Sequence, residues 1–174
     1  MSKSDGESQG LVPLDLVRPE EARRYLVFRA CDEWFGLPIE CVRGIHPLER
    51  VIRVPNAPRE VVGIQNLRGR ILTLFDLGTC LNIPAGRPPN TKAIVLDVGD
   101  PDLFIGLAVQ QVGQVQAIPA SSVEAPPARP DAAGAVEGVC AWLGQVVSLL
   151  DLARLLARQL QEWGVIPEVR QRKG

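Results

Sequence analysis

Residues 63–81 read GIQNLRGRILTLFDLGTCL, and residues 138–156 read GVCAWLGQVVSLLDLARLL. Aligned at an offset of 75, they pair Gly63 with Gly138, Gly69 with Gly144, Asp76 with Asp151 and Leu77 with Leu152. A second match sets FGLPIECVRGI at 35–45 beside IGLAVQQVGQV at 105–115, an offset of 70 that pairs Gly36 with Gly106, Leu37 with Leu107 and Val42 with Val112. The five extra residues fall in the loop SSVEAPPARPDAAGA. Self-similarity of this kind predicts a duplicated supersecondary unit.

Each copy reads as short strands. RYLVFRA and WFGLPI are rich in aromatic and β-branched residues around the turn CDEW, which predicts an opening hairpin. Pro38 suits the first position of a short helical turn through Val42. The prolines of RVPNAPREVVG mark a loop with one helical turn after Pro58. Ile64 to Leu67 and Ile71 to Phe75 then form strands around Arg68 and Gly69, and Asp76 caps a short helix. NIPAGRPPNT is a linker and KAIVLDV opens the second copy.

The expected fold is mainly β, two pseudo-repeated five-stranded barrels with short helices and a C-terminal helix. Repeat one covers about 23–85 and repeat two about 91–156. A unit of 60 residues buries only about 60% of its unfolded surface, whereas a joined pair near 150 approaches 70%, so the copies should pack as one body with a groove between them. The segment 151–164 reads as a helix with Leu152, Leu155, Leu156, Leu160 and Trp163 on one face. Residues 1–21 read as a disordered arm and 165–174 as a flexible basic tail.

Composition narrows the chemistry. In 174 residues, 19 Lys and Arg oppose 20 Asp and Glu, so no global field attracts nucleic acid or anionic lipid. No leader or membrane-spanning apolar run is read, which predicts a cytoplasmic protein without membrane insertion. His46 is the only histidine, which removes most acid–base schemes near neutral pH. Cys31, Cys41, Cys80 and Cys140 make no CxxC pair and read as buried reduced thiols. No metal site, cofactor loop or nucleophile elbow is found, so the expectation is a protein without cofactor, metal or catalytic residues. A small barrel that binds single-stranded nucleic acid would need stacking aromatics, and only eight aromatic residues are present, several of them in strands.

The repeat also controls for itself, because what the fold requires should appear twice. Gly63, Gly69, Asp76, Gly138, Gly144 and Asp151 recur and read as turn and cap residues. Asn66 and Arg68 face Ala141 and Leu143 in the other copy, which points them toward binding.

On these residues, together with RYLVFRACDEWFGLPIECVRGI and AIVLDVGDPDLFIGLAVQQV, the chain resembles the CheW family of chemotaxis coupling proteins over roughly 22–158. Residues 63–77 resemble the family signature G-x-x-N-x-R-G-x-[IV]-x-P-[VI]-x-D-L. The resemblance implies two SH3-like five-stranded barrels and a non-enzymatic adaptor. It implies as partners a chemoreceptor cytoplasmic signalling domain, held in the groove between barrels, and the regulatory domain of a CheA-type histidine kinase. Arg68 falls on the motif arginine and Val42 on an apolar groove position. With Arg43, Ile45, Asn66 and Val112, these make up the expected receptor-binding groove. Departures are Gly44 for an acid, Thr73 for the signature proline, Gly78 for an arginine, and Gln110 and Gln114 for acids. They imply an accessory coupling protein, such as one of a pilus-motility or surface-sensing pathway; a nucleic-acid-binding barrel is the remoter alternative.

Overall fold

The computed structural model describes residues 21–84, 89–128 and 134–162. The expected arm up to residue 20, Trp163 and the basic tail lie outside the described residues. The first copy contributes β1 (Ala22–Ala30), β2 (Glu33–Pro38), a 3-10 turn (Ile39–Cys41), β3 (Val42–Pro47), β4 (Val61–Leu67), β5 (Arg70–Asp76) and α1 (Leu77–Cys80). The second contributes β6 (Lys92–Leu96), β7 (Ile105–Val109), β8 (Gln111–Pro119), a 3-10 turn (Ala120–Ser122), β9 (Val136–Trp142), β10 (Gln145–Leu150) and α2 (Leu152–Glu162).

Three hairpins are closed by two-residue turns with positive φ at both positions. These are Cys31–Asp32 (54° and 62°), Arg68–Gly69 (53° and 82°) and Leu143–Gly144 (46° and 73°). Such turns match the right-handed twist of the flanking strands, which is why they hold tight antiparallel pairs. The segment after Pro58 differs from expectation. Val61 N–H closes back on the Pro58 carbonyl (2.9 Å) and the chain enters β4 at once, so a turn stands where a helical turn was expected.

The strands form two five-stranded sheets, in the orders β8-β1-β2-β10-β9 and β3-β6-β7-β5-β4. Replacing each strand of the first sheet by its repeat equivalent generates the second. The sheets are nevertheless not the repeats: each takes two strands from one copy and three from the other. The chain changes sheet between β2 and β3, and again between β7 and β8. The junctions are parallel pairs, β2 with β10 and β7 with β5, in matching register: Phe35 faces Ser148, and Ile105 faces Thr73.

Alternation along the strands feeds three cores. In β1, Tyr25 and Val27 point into the first barrel, while Leu26, Phe28 and Ala30 point into a core shared between the barrels. In β6, Ala93 and Val95 fill the second barrel, and Ile94 and Leu96 join the shared core. Strands covered on both faces read as unbroken apolar runs, which explains YLVF and AIVL. Phe28, Phe35 and Phe75 are fully buried in the shared core, each contributing about 2–3 kcal/mol. Helix α2 lays Leu152, Leu155, Leu156 and Leu160 on that core.

Candidate binding surface

The β4–β5 hairpin carries the expected binding residues at its tip. Asn66 Oδ1 accepts from the Gly69 N–H (2.9 Å), so its acceptor is used inside the turn and holds Gly69 in its left-handed conformation. The comparison with Ala141 did not reveal this local role. Arg68 is exposed and, among the described residues, makes no hydrogen bond or ion pair. Its neighbour Arg70 is engaged: its guanidinium lies 4.3 Å from the Phe104 ring centroid and donates to the Pro101 carbonyl (2.8 Å). Arg68 is therefore the available cation of the tip.

The other expected groove residues lie on edge strands. Val42 in β3 and its repeat equivalent Val112 in β8 are half-buried, and both pack against the shared core. Ile45 is exposed on β3 (44%), as is its equivalent Val115 on β8 (38%). Arg43 pairs with Asp97 (3.1 Å) and reaches the Asp100 carbonyl (3.4 Å), so its charge is matched within the molecule. β3 and β4 are opposite edges of one sheet, joined through buried Gln65, whose Nε2 donates to the Pro47 carbonyl and whose Oε1 accepts from Glu49 N–H (3.2 Å each). Val42 and Val112 thus share one core, whereas Asn66 and Arg68 sit on a separate hairpin tip.

The repeated residues divide by cause. Asp76 Oδ2 accepts from the Thr79 N–H (2.9 Å) and hydroxyl (2.6 Å) at the start of α1, and Asp151 Oδ1 accepts from Arg154 N–H (3.0 Å) at the start of α2. Gly69 and Gly144 sit in turns with open space around them. Gly63 and Gly138 correct the turn reading, because both lie inside strands, β4 and β9. A Cβ on Gly63 would strike the Ile52 carbonyl oxygen, and one on Gly138 would strike Val123 Cγ1. In each barrel the segment before these strands crosses at that point, in the bridges Ile52–Ile64 and Glu124–Val139.

Two departures acquire a physical setting. Thr73 N–H donates to the Phe104 carbonyl (3.0 Å), a bond that proline could not make. Gln110 stands where the chain changes sheet: its N–H donates to the Arg29 carbonyl (2.9 Å), its carbonyl accepts from Thr91 Oγ1 (2.7 Å), and its Oε1 accepts from Asp32 N–H (2.9 Å).

A second surface was not found from the sequence. At the β9–β10 tip Leu143 is 80% exposed with φ 46°, and Val146 is 67% exposed. The half-buried Trp34 and Trp142 pack edge to face (5.3 Å) in the same barrel. An open cleft of about 680 Å³ beside this tip is lined by Val146, Trp34, Asp32, Glu33 and Glu124 among others. The signal was present as the contrast between Leu143 and Arg68, which was read only for Arg68.

Thiol chemistry finds little support. Burial, then the charges of Glu60 and Asp76, pushes Cys80 up to about 12; burial, then Glu40, pushes Cys41 up to about 11. Such thiols hold almost no thiolate at neutral pH. Among the described residues, no group of three or more His, Cys, Asp or Glu is placed to hold a metal, and no helix is long and apolar enough to cross a membrane.

Residues 24–160 match the CheW family, described as the CheW-like domain. The chain belongs to that family. Among curated relatives, the chemotaxis protein CheW of Rhizobium meliloti (strain 1021) is 26% identical over 145 residues, covering 80% of this chain and 91% of the relative. The chemotaxis protein CheW of Klebsiella aerogenes is 28% identical over 140 residues, covering 79% and 83%. A crystal structure of the scaffolding protein TtCheW from Thermoanaerobacter tengcongensis aligns with a TM-score of 0.66 at 26% identity, covering 78% of this chain and 88% of that one. The mainly β architecture of two five-stranded sheets with a C-terminal helix is the CheW fold. The matched range runs from β1 into the last turn of α2, so the CheW-like unit takes in all ten strands.

Proposed function

We propose that the protein is a non-enzymatic adaptor of chemotaxis-like signal transduction, coupling the cytoplasmic signalling tips of chemoreceptors to the regulatory domain of a CheA-type histidine kinase. Family membership supports the adaptor role, since its curated relatives carry the name chemotaxis protein CheW. The observation that carries the receptor assignment is Arg68, an exposed cation without a hydrogen bond or ion pair among the described residues, on the hairpin that bears the family signature, where the duplicate tip has Leu143. A guanidinium so placed can fork onto carboxylates or carbonyls of a receptor helix, while Val42 and Val112 offer apolar contact at the edge of the shared core. Weak individual contacts suffice when several are tethered in one array. On this reading the protein is cytoplasmic and reaches the membrane through its partners.

The replacement of acids by Gly44, Gln110 and Gln114 supports an accessory member, serving a receptor and kinase of a pilus-motility or surface-sensing pathway. Pull-down with receptor signalling-tip fragments and kinase regulatory domains from each pathway tests the assignment. Arg68→Glu should weaken receptor binding by tenfold or more, about 1.4 kcal/mol, and leave the melting temperature unchanged. Undiminished receptor affinity in that variant would remove Arg68 from the interface.

A further inference from the structure

In the second barrel Gln65 ties the two edge strands together, but the matching position in the first barrel is Cys140, a free thiol buried in the barrel core. An open cleft of about 610 Å³ lies where the edge strands of that barrel come together, lined by Ile118 of β8, Glu137 of β9 and residues of β1 and β10. Its apolar lining includes Ile118, Val123 and Leu149. Its polar lining is a bonded set. Glu137 Oε1 accepts from the Tyr25 hydroxyl (3.1 Å) and from Arg23 Nη1 (3.5 Å), while Arg23 Nε and Nη2 donate to Glu40 Oε1 (3.1 and 2.9 Å). Burial, then the charge of Glu137, pushes Tyr25 up to about 12, so its hydroxyl stays a donor to Glu137 at neutral pH.

The other copy shows that the fold does not need this set. Val27 faces Gly36 as Val95 faces Gly106, which matches Tyr25 with Ala93 and Arg23 with Thr91, and Glu137 matches Val62. Negative charge is also left over. Arg23 stands against three carboxylates, Glu21, Glu40 and Glu137, and Glu137 Oε2 makes no hydrogen bond among the described residues. We propose that this cleft is a docking site for a partner segment that inserts a lysine or arginine side chain. The aliphatic stem lies on Ile118, Val123 and Leu149, and the cationic head meets Glu137 Oε2 and Glu21. Tyr25 and Arg23 hold the Glu137 carboxylate in place before the cation arrives, which lowers the ordering cost of binding. Because the cleft is open, it does not wrap a free amine as an enclosed pocket does; a side chain carried on a segment gains its remaining contacts from the chain around it. The site shares no residue with the receptor groove and does not rest on that reading.

The test titrates the full chain, with labelled isoleucine, leucine and valine methyl groups, against three probes followed by NMR. These are the blocked tripeptide Val-Lys-Val, the same peptide with norleucine in place of lysine, and hexylamine. The lysine peptide should shift the methyl resonances of Ile118, Val123 and Leu149, and should bind roughly three- to tenfold more tightly than the norleucine peptide, the share expected of one charge-assisted contact. Glu137→Gln should abolish that preference and leave norleucine binding as it was. Glu21→Gln, a change at an exposed position, should reduce the preference without altering Tm, and serves if Glu137→Gln does not fold. No shift at these methyls with millimolar lysine peptide would overturn the site. Equal binding of the lysine and norleucine peptides would overturn the cationic occupant. Hexylamine binding as tightly as the lysine peptide would overturn the partner segment in favour of a free amine.

Discussion

Gly63 and Gly69 lie six positions apart in one motif and are glycine for different reasons. Gly69 has φ 82° and open space, so a side chain there meets only its own backbone. Gly63 has φ 155° and backs onto the Ile52 carbonyl and Val51. Gly69→Val should cost about 1–2 kcal/mol from left-handed strain, whereas Gly63→Ala should cost roughly 3 kcal/mol or more, because overpacking adds to strain. Urea denaturation of both variants gives the comparison; equal midpoints would show that the crossing strand yields. Asn66 and Arg68 divide in the same way. Neither recurs in the second copy and both are exposed, but Asn66 Oδ1 is engaged by Gly69, whereas the Arg68 side chain makes no hydrogen bond or ion pair among the described residues. Absence from a repeat reveals that a residue is dispensable to the common fold, without revealing whether its neighbour in the turn needs it.

Among the elements, the hairpins and caps were legible and the packing of strands was not. Turn residues at 68–69 and capping aspartates at 76 and 151 act within a few residues of themselves, so local chemistry specifies them. Asp151→Ala should cost about 1 kcal/mol by loss of the cap, and hydrogen exchange should show the loss concentrated in α2. A uniform rise in exchange through β9 and β10 instead would mean that Asp151 supports the sheet rather than the helix. The crossing segments before β4 and β9 carry single bridges at Ile52 and Glu124. Their contacts with Gly63 and Gly138 join parts of the chain with no common periodicity, so local sequence does not distinguish these two mid-strand glycines from turn residues.

For the whole molecule, the decisive feature is the exchange of strand pairs between copies. β1 and β2 complete the sheet of β8, β9 and β10, and β6 and β7 complete that of β3, β4 and β5. Neither copy can then bury its apolar face alone, a stronger constraint than small size. Fragments 1–86 and 87–174, expressed separately, should show no cooperative thermal transition, and mixing them should restore one. Independent folding of either fragment would mean that each repeat can close its own barrel. The shared core built by this exchange also brings Val42, Val112 and α2 onto one apolar body.

The sequence by itself determined that a β unit is present twice, where its hairpins turn, which aspartates start helices, and that Asn66 and Arg68 have no counterpart in the second tip. All of these are encoded in residue types at short, fixed spacing. Only the tertiary structure decided which strands share a sheet, that Arg43 is neutralised by Asp97, and that Leu143 and Val146 stand exposed beside an open cleft. These depend on long-range pairing: a duplicated sequence closing on itself and one exchanging strands carry the same local pattern, and the burial of the shared core selects between them.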